Sequence, residues 1–123
     1  NIITNDLGEE SGDRIVEKIM ELNPRPDGLL VSNDTCAASC LMALKKKKIR
    51  VPEDMAIVGF NNDLISRMVE PNLSTINYPS YHMGEVAMKN LINHLDEEHH
   101  EILQKTNTIT LRHELIIRES SKR

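Results

Sequence analysis

The stretch Gly28–Asn62, GLLVSNDTCAASCLMALKKKKIRVPEDMAIVGFNN, decides the fold. Its two apolar runs, Gly28 to Val31 and Met55 to Val58, are short and unalternating, as expected of parallel strands covered on both faces. The segment between them reads as an amphipathic helix, long enough to carry the chain back over the sheet by a right-handed crossover. Each strand ends, on its carboxyl side, in hydrogen-bonding side chains: Ser32, Asn33 and Asp34 after the first, Asn61, Asn62 and Asp63 after the second. In an open parallel sheet, ligands are expected in the crevice outside the carboxyl ends of the strands. The two polar clusters are therefore expected to face one place.

Composition limits what that place can be. With 123 residues the chain is one domain at most, large enough for a real core. A net charge of −4 argues against a surface that grips a phosphate backbone, which needs a clustered basic face. Three aromatic residues, Phe60, Tyr78 and Tyr81, leave little for a base-stacking platform. Cys36 and Cys40 lie one helical turn apart in an apolar pattern and read as small buried hydrophobes of a reducing compartment, the cytoplasm. No further Cys or His stands in register for zinc, and His99 and His100 in the charged loop from Asp96 to Lys105 read as a solvated pair; no metal and no cofactor are expected. No long apolar span or signal peptide is visible, so no membrane partner is expected.

Outward from the central stretch, Asn1 to Thr4 reads as the end of a strand and Glu9, Glu10 as the acidic start of a helix. That helix carries Ile15, Val16, Ile19, Met20 and Leu22 on one stripe and stops at the turn from Pro24 to Gly28, making β-α-β before the central stretch. In the central helix Thr35, or Asp34, is placed to cap the amino end. Apolar character on more than one side allows either a well-covered core helix or one whose outer side meets another subunit. Lys45 to Lys48 suit a helix carboxyl end, where cations meet the negative end of the dipole. Beyond Asp63, Leu64 to Val69 predicts a short helix stopped by Pro71, Ser74 to Ile76 a brief extended piece, Tyr78 and Pro79 a crossing, and Tyr81 to Leu95 a long helix that needs a partner surface. Alternation through Ile109, Leu111, His113, Leu115 and Ile117 predicts a strand over Thr108 to Arg118, with Glu119 to Arg123 as tail.

The chemistry left to the strand ends is binding without turnover. There is no nucleophile elbow and no Gly-rich phosphate cradle. Receiver domains group several carboxylates about Mg²⁺, whereas the second strand here ends in amides, which serve a hard cation poorly. A polar rim remains, able to hydrogen-bond a neutral polyol or heterocycle, with Asp34 able to accept two donors. Helix capping is the competing reading of Asp34.

The runs VSND, IRVPEDMAIVGFNN, EPNLSTINYP, HMGEVAMKNLINHL and LRHELIIRES, taken together with DLGEESG near the start, resemble the carboxyl-terminal part of the lactose/galactose-repressor (LacI/GalR) family of bacterial transcription regulators. The VPEDMAIVGF block combined with STI and the terminal RES is the specific signal. The resemblance implies an α/β fold, a parallel-sheet αβα sandwich forming the carboxyl-terminal lobe of a type I periplasmic-binding-protein-like effector domain. Residues 1–77 would form the lobe core, 78–105 a hinge crossing and a helix that packs in the other lobe, and 106–123 a return strand and tail. It further implies a small-molecule effector, a sugar or nucleobase-like compound, a homodimer, and operator DNA bound through an amino-terminal helix-turn-helix outside this sequence; the alternatives on the same fold are a solute-binding receptor for transport and a ligand-sensing domain joined to a different output module. Asp34, with Asn33, matches the family's ND motif that hydrogen-bonds effector. Asn61 and Asn62 match a pair that is often Asp-Asp. Leu7 falls where many relatives carry a ring that stacks on ligand, and Tyr78 matches a crossover position bordering it. Cys36 to Leu44, including Cys40 and Leu41, corresponds to a helix that contributes to the dimer interface. With the other lobe absent, the long helix is expected to expose Val86, Leu91 and Leu95.

Overall fold

The computed structural model describes residues 2–4, 11–95 and 108–123. They fall into two compact units, one drawn from the described residues within 1–77 and 114–123, the other from those within 78–113. The first unit is built on a four-stranded sheet of β1 (Gly28–Leu30), β2 (Ala56–Phe60), β3 (Ser74–Asn77) and β4 (Glu114–Ile116), in that spatial order. The first three strands run parallel, with Gly28 beside Ala56 and Val58 beside Ser74; β4 is antiparallel to β3, with Thr75 beside Ile116 and Asn77 beside Glu114.

Helix α1 (Ser11–Met20) and helix α2 (Asp34–Lys46) pack together because Gly12 has no side chain: a Cβ there would sit 2.3 Å from the Ser39 backbone carbonyl carbon. That close approach seals one core, in which Val16 and Ile19 meet Ala37, Cys40, Leu44, Met55, Ile57 and Leu73. Full burial of each Ile or Leu contributes about 1.5–3 kcal/mol. The apolar character of α2 on more than one side is thus explained within the chain, since Cys36, Cys40, Leu41 and Leu44 are all buried in this core. This corrects the assignment of those four side chains to a dimer interface, because they have no surface left to give to a second copy. Burial pushes the Cys40 thiol up to about 12, as expected of a buried cysteine that stays protonated.

Other expectations are corrected at the edges of the sheet. Residues 2–4 are irregular rather than strand, so among the described residues no β-α-β precedes β1; Ile2, Ile3 and Thr4 line a groove of about 680 Å³, with Leu29 and Leu30 of β1 among its other walls. The expected cover on both faces holds for one. Ile57 and Gly59 on β2 are buried while Ala56, Val58 and Phe60 are half-buried, and Leu30 is 68% exposed. The long carboxyl-terminal strand shrinks to Glu114–Ile116, because β3 offers only Thr75 to Asn77 for it to pair with. Glu119 to Ser121, expected as tail, form a 3₁₀ turn that buries Ser120 completely.

Short connections follow the reading from sequence. Lys45 and Lys46 close α2, Lys47 donates its N–H back to Ala43 and Lys45 carbonyls, and Lys46 pairs with Asp13 of α1 at 3.0 Å. Helix α3 (Ile65–Met68) is short and ends before Pro71. The second unit contains α4 (Ser80–Leu95), on which Lys89 pairs with Glu85 at 2.7 Å. On α4, Leu91 and Leu95 are exposed as expected, together with Met83, Met88 and Ile92, whereas Val86 is half-buried.

Candidate functional site

The carboxyl ends of β1, β2 and β3 meet in a polar knot whose centre is Asp34. The helix begins not with Thr35 or Asp34 as cap but with Asn33, which is extended and accepts the Cys36 N–H through Oδ1 at 2.6 Å. Released from capping, the Asp34 side chain turns inward and is fully buried. Its Oδ1 accepts the Thr75 hydroxyl at 2.6 Å and its Oδ2 accepts the Asp63 N–H at 2.8 Å. Gly59 makes room for it, since a Cβ there would lie 2.2 Å from Asp34 Oδ1. Burial raises the Asp34 carboxyl above the ordinary carboxylate range, against the pull of the Thr75 and Asp63 hydrogen bonds. The Asp34 carboxylate, fully buried and bonded through both oxygens, is consumed in building the tip, which corrects its assignment to ligand binding, whereas Asn33 is half-buried and gives its amide oxygen to the helix cap.

What Asp34 builds is the turn after β2. Asn61 and Asn62 both have left-handed backbone, with φ of 112° and 56°. Asparagine tolerates that region better than most residues, and consecutive residues there need outside support. Support comes from the Asn61 N–H to the Ile76 carbonyl at 2.9 Å, the Asn62 N–H to the Thr75 hydroxyl at 3.2 Å, and the Asp63 N–H to Asp34. Asn61 is half-buried, its Nδ2 donating to Asp63 Oδ2 at 3.2 Å, and Asp63 is exposed. Asn62 is tied on both sides: its Nδ2 donates to Asn77 Oδ1 at 3.3 Å, and its Oδ1 accepts Arg118 NH2 at 2.8 Å. Its half-buried side chain is part of the frame that holds the turn.

Asp34, Asn61 and Asn62 are thus brought together as the spacing implied, through Asp63 and Thr75. Tyr78 lies in the second unit. Leu7 and the pair His99 and His100 lie outside the described residues. Among the described residues no group of three or more His, Cys, Asp or Glu is arranged to hold a metal ion.

Sequence reasoning missed the frame. Arg118 donates to Ser66 Oγ at 3.0 Å and to the Leu73 carbonyl at 2.7 Å as well as to Asn62. Ser66, Ser74, Thr75 and Ser120 are all fully buried, and among the described residues no buried side-chain nitrogen or oxygen lacks a partner. The signal was present: Ser74 and Thr75 open a short strand in an otherwise apolar setting, and Arg118, Glu119 and Ser120 follow two isoleucines. Buried polar groups must be paired, so a polar pair in a core strand asks for a polar partner elsewhere.

With this geometry established, comparison with known proteins is decisive. A family model described as periplasmic binding protein-like domain matches residues 2–121. The chain belongs to that family. It is 35% identical over 112 residues to the NTD biosynthesis operon regulator NtdR of Bacillus subtilis, covering 91% of this chain and 33% of that protein. With catabolite control protein A of Priestia megaterium it shares 31% identity over 121 residues, 98% of this chain and 35% of the relative. The chain thus spans about a third of the length of these relatives. Among solved structures, transcription regulator CcpA of Lactococcus lactis superposes with a TM-score of 0.77 at 30% identity, over 95% of this chain and 41% of that one. A transcriptional regulator CelR–cellobiose complex superposes at 0.79 and 25% identity, over 94% of this chain and 34% of that one. The mostly parallel α/β sheet is accordingly that of a type I periplasmic-binding-protein-like fold, and the likeness to LacI-type regulators read from the sequence motifs stands.

Proposed function

We propose that this chain is the carboxyl-terminal lobe of the effector domain of a LacI/GalR-type transcriptional regulator, in which a small molecule bound at the strand tips alters operator affinity. The observation that carries the reading is the turn Asn61–Asp63, held in left-handed backbone by a fully satisfied buried knot, at the end of the sheet where parallel α/β folds take ligands. Asn61 and Asp63 are the groups this turn offers to a ligand. An exposed carboxylate next to an amide suits hydroxyl or amine donors, while Arg118, the cation bonded into the knot, is already engaged by Asn62, Ser66 and Leu73. The effector is therefore a neutral or cationic polyhydroxyl compound, a sugar in preference to a sugar phosphate, with a nucleobase-like compound as the next class.

Leu7 and Tyr78 complete the ligand's surroundings in this reading, and the other lobe supplies the facing wall. The output is a helix-turn-helix that binds operator DNA as a homodimer in the cytoplasm, with the dimer surface made by side chains other than those α2 buries. The domain binds without turnover, and only its differential affinity for DNA-competent and incompetent states changes operator occupancy.

The experiment is a titration of the full-length protein with glucose, cellobiose, glucosamine, glucose 6-phosphate and hypoxanthine, followed by operator binding with and without each. A neutral or amino sugar that binds and shifts operator affinity is the expected result. Binding restricted to the phosphorylated sugar, or operator affinity that no compound changes, would overturn the reading.

A further inference from the structure

The chain leaves the first unit after Asn77 and re-enters it at Glu114, so β3 and β4 are its two connections to the second unit, lying side by side with Asn77 beside Glu114. Asn62, in the turn just described, reaches both. Its Nδ2 donates to Asn77 Oδ1 at 3.3 Å, on the last residue of the outgoing strand. Its Oδ1 accepts Arg118 NH2 at 2.8 Å, two residues beyond the incoming strand. The Arg118 guanidinium is fixed in turn by Ser66 Oγ and the Leu73 carbonyl, and its backbone N–H donates to Ser74 Oγ at 2.8 Å.

The geometry points to Asn62 as the residue that couples the ligand-bearing turn to the two crossing strands. This rests on the function proposed above and adds a transmission element to it. Asn62 sits between Asn61 and Asp63, so a ligand that displaces either neighbour rotates its backbone. Its amide has two ends and both are held, so rotation must either break a hydrogen bond or move Asn77 and Arg118. The left-handed backbone of Asn62, fixed by the Thr75 hydroxyl at 3.2 Å, leaves little slack to absorb the motion locally. Asn62 is thus a positioning residue, and Asn77 its counterpart on the strand.

Two measurements on full-length protein test this. Hydrogen exchange compares wild type with Asn62→Gly, a change that removes the amide and suits the positive φ. Exchange over residues 74–77 and 114–118 is expected to rise about tenfold, the effect of losing one to two hydrogen bonds, with α2 unchanged. Equal exchange over both strands in the two proteins would overturn the coupling. The second measurement uses Asn77→Ala with glucose, cellobiose and glucosamine as probes. The variant is expected to bind a probe as wild type does, while the probe's effect on operator affinity, a factor of about 5–150 in typical allosteric couplings, falls towards 1. A wild-type response in Asn77→Ala would overturn the coupling and leave the function standing. If no probe moves the operator affinity of wild type, the proposed function fails, and hydrogen exchange alone decides whether Asn62 clasps the strands.

Discussion

The Ser120 hydroxyl stands between Ser74 and Ile57: it accepts the Ser74 N–H at 2.8 Å and donates to the Ile57 carbonyl at 2.7 Å, joining β3 to β2 where the two strands begin to pair. A residue from the last few of the chain thus completes the ladder of the central sheet. Ser120→Ala leaves two buried backbone groups without partners. At roughly 1–3 kcal/mol for each of the two orphaned buried groups, the variant is expected to lose about 2–6 kcal/mol in urea unfolding. A loss below about 0.5 kcal/mol, ordinary for a surface position, would show that the bridge contributes little.

Gly59 and Asp34 are mutually exclusive with a side chain at position 59. The Cβ of Gly59→Ala would meet Asp34 Oδ1 at 2.2 Å and Leu73 Cδ2 at 3.0 Å, and Asp34 cannot swing away without giving up its bonds to Thr75 and Asp63. Overpacking of this kind costs typically about 1–3 kcal/mol. The double variant carrying Asp34→Ala as well is expected to be less than additive, because the first change has already emptied the space the methyl needs; strict additivity in a double-mutant cycle would contradict the clash.

Asp34 also sets a pH dependence with an unusual sign. Its carboxyl is raised in the folded state by burial, so between the ordinary value of 3.8 and its folded value the folded protein holds a proton that the unfolded chain has released. Stability from this group therefore increases as pH falls through that window. Asp54 behaves oppositely: its bonds to Arg50 hold it well below the usual range, and its contribution is lost as pH falls below its unfolded value. Subtraction isolates Asp34. The stability difference between wild type and Asp34→Asn is expected to shift in favour of wild type from pH 7 to pH 4.5 in urea melts; a difference independent of pH would mean that burial does not perturb this carboxyl.

The thiols give a simpler check. Cys36 and Cys40 are buried, and Cys40 is pushed up to about 12, so the Cys40 thiolate is scarce at pH 8. Native protein is expected to react with a disulfide reagent such as DTNB at a rate limited by opening of the core, and denatured protein within the mixing time. Fast modification of native protein at both cysteines would place α2 at the surface and return it to the role of a dimer interface.

Much of the fold was legible because it rests on local rules. The two apolar runs around a helix predicted β1, α2 and β2 as parallel neighbours, and the polar residues after each strand predicted where they converge. The roles within that cluster were not legible. An acidic residue at a strand end reads equally as cap, ligand contact or buried clamp, and only the position of Thr75, forty-one residues on, settles Asp34 as the clamp. The carboxyl-terminal tail misled for the same reason: Arg118 and Ser120 look like surface residues until the partners that bury them, Asn62, Ser66, Ile57 and Ser74, are known. The single well-covered face of the sheet misled differently, because an apolar strand carries no label for what covers its second side.

The central claim is that the turn after β2 presents Asn61 to an effector. Asn61→Gly removes the amide while accommodating the φ of 112°, so the scaffold is left intact. Isothermal titration of the full-length variant with the sugar that binds wild type is predicted to show affinity weakened about tenfold, the value of one lost hydrogen bond, with an unchanged thermal midpoint. Undiminished affinity would contradict the account and move the ligand away from these strand tips.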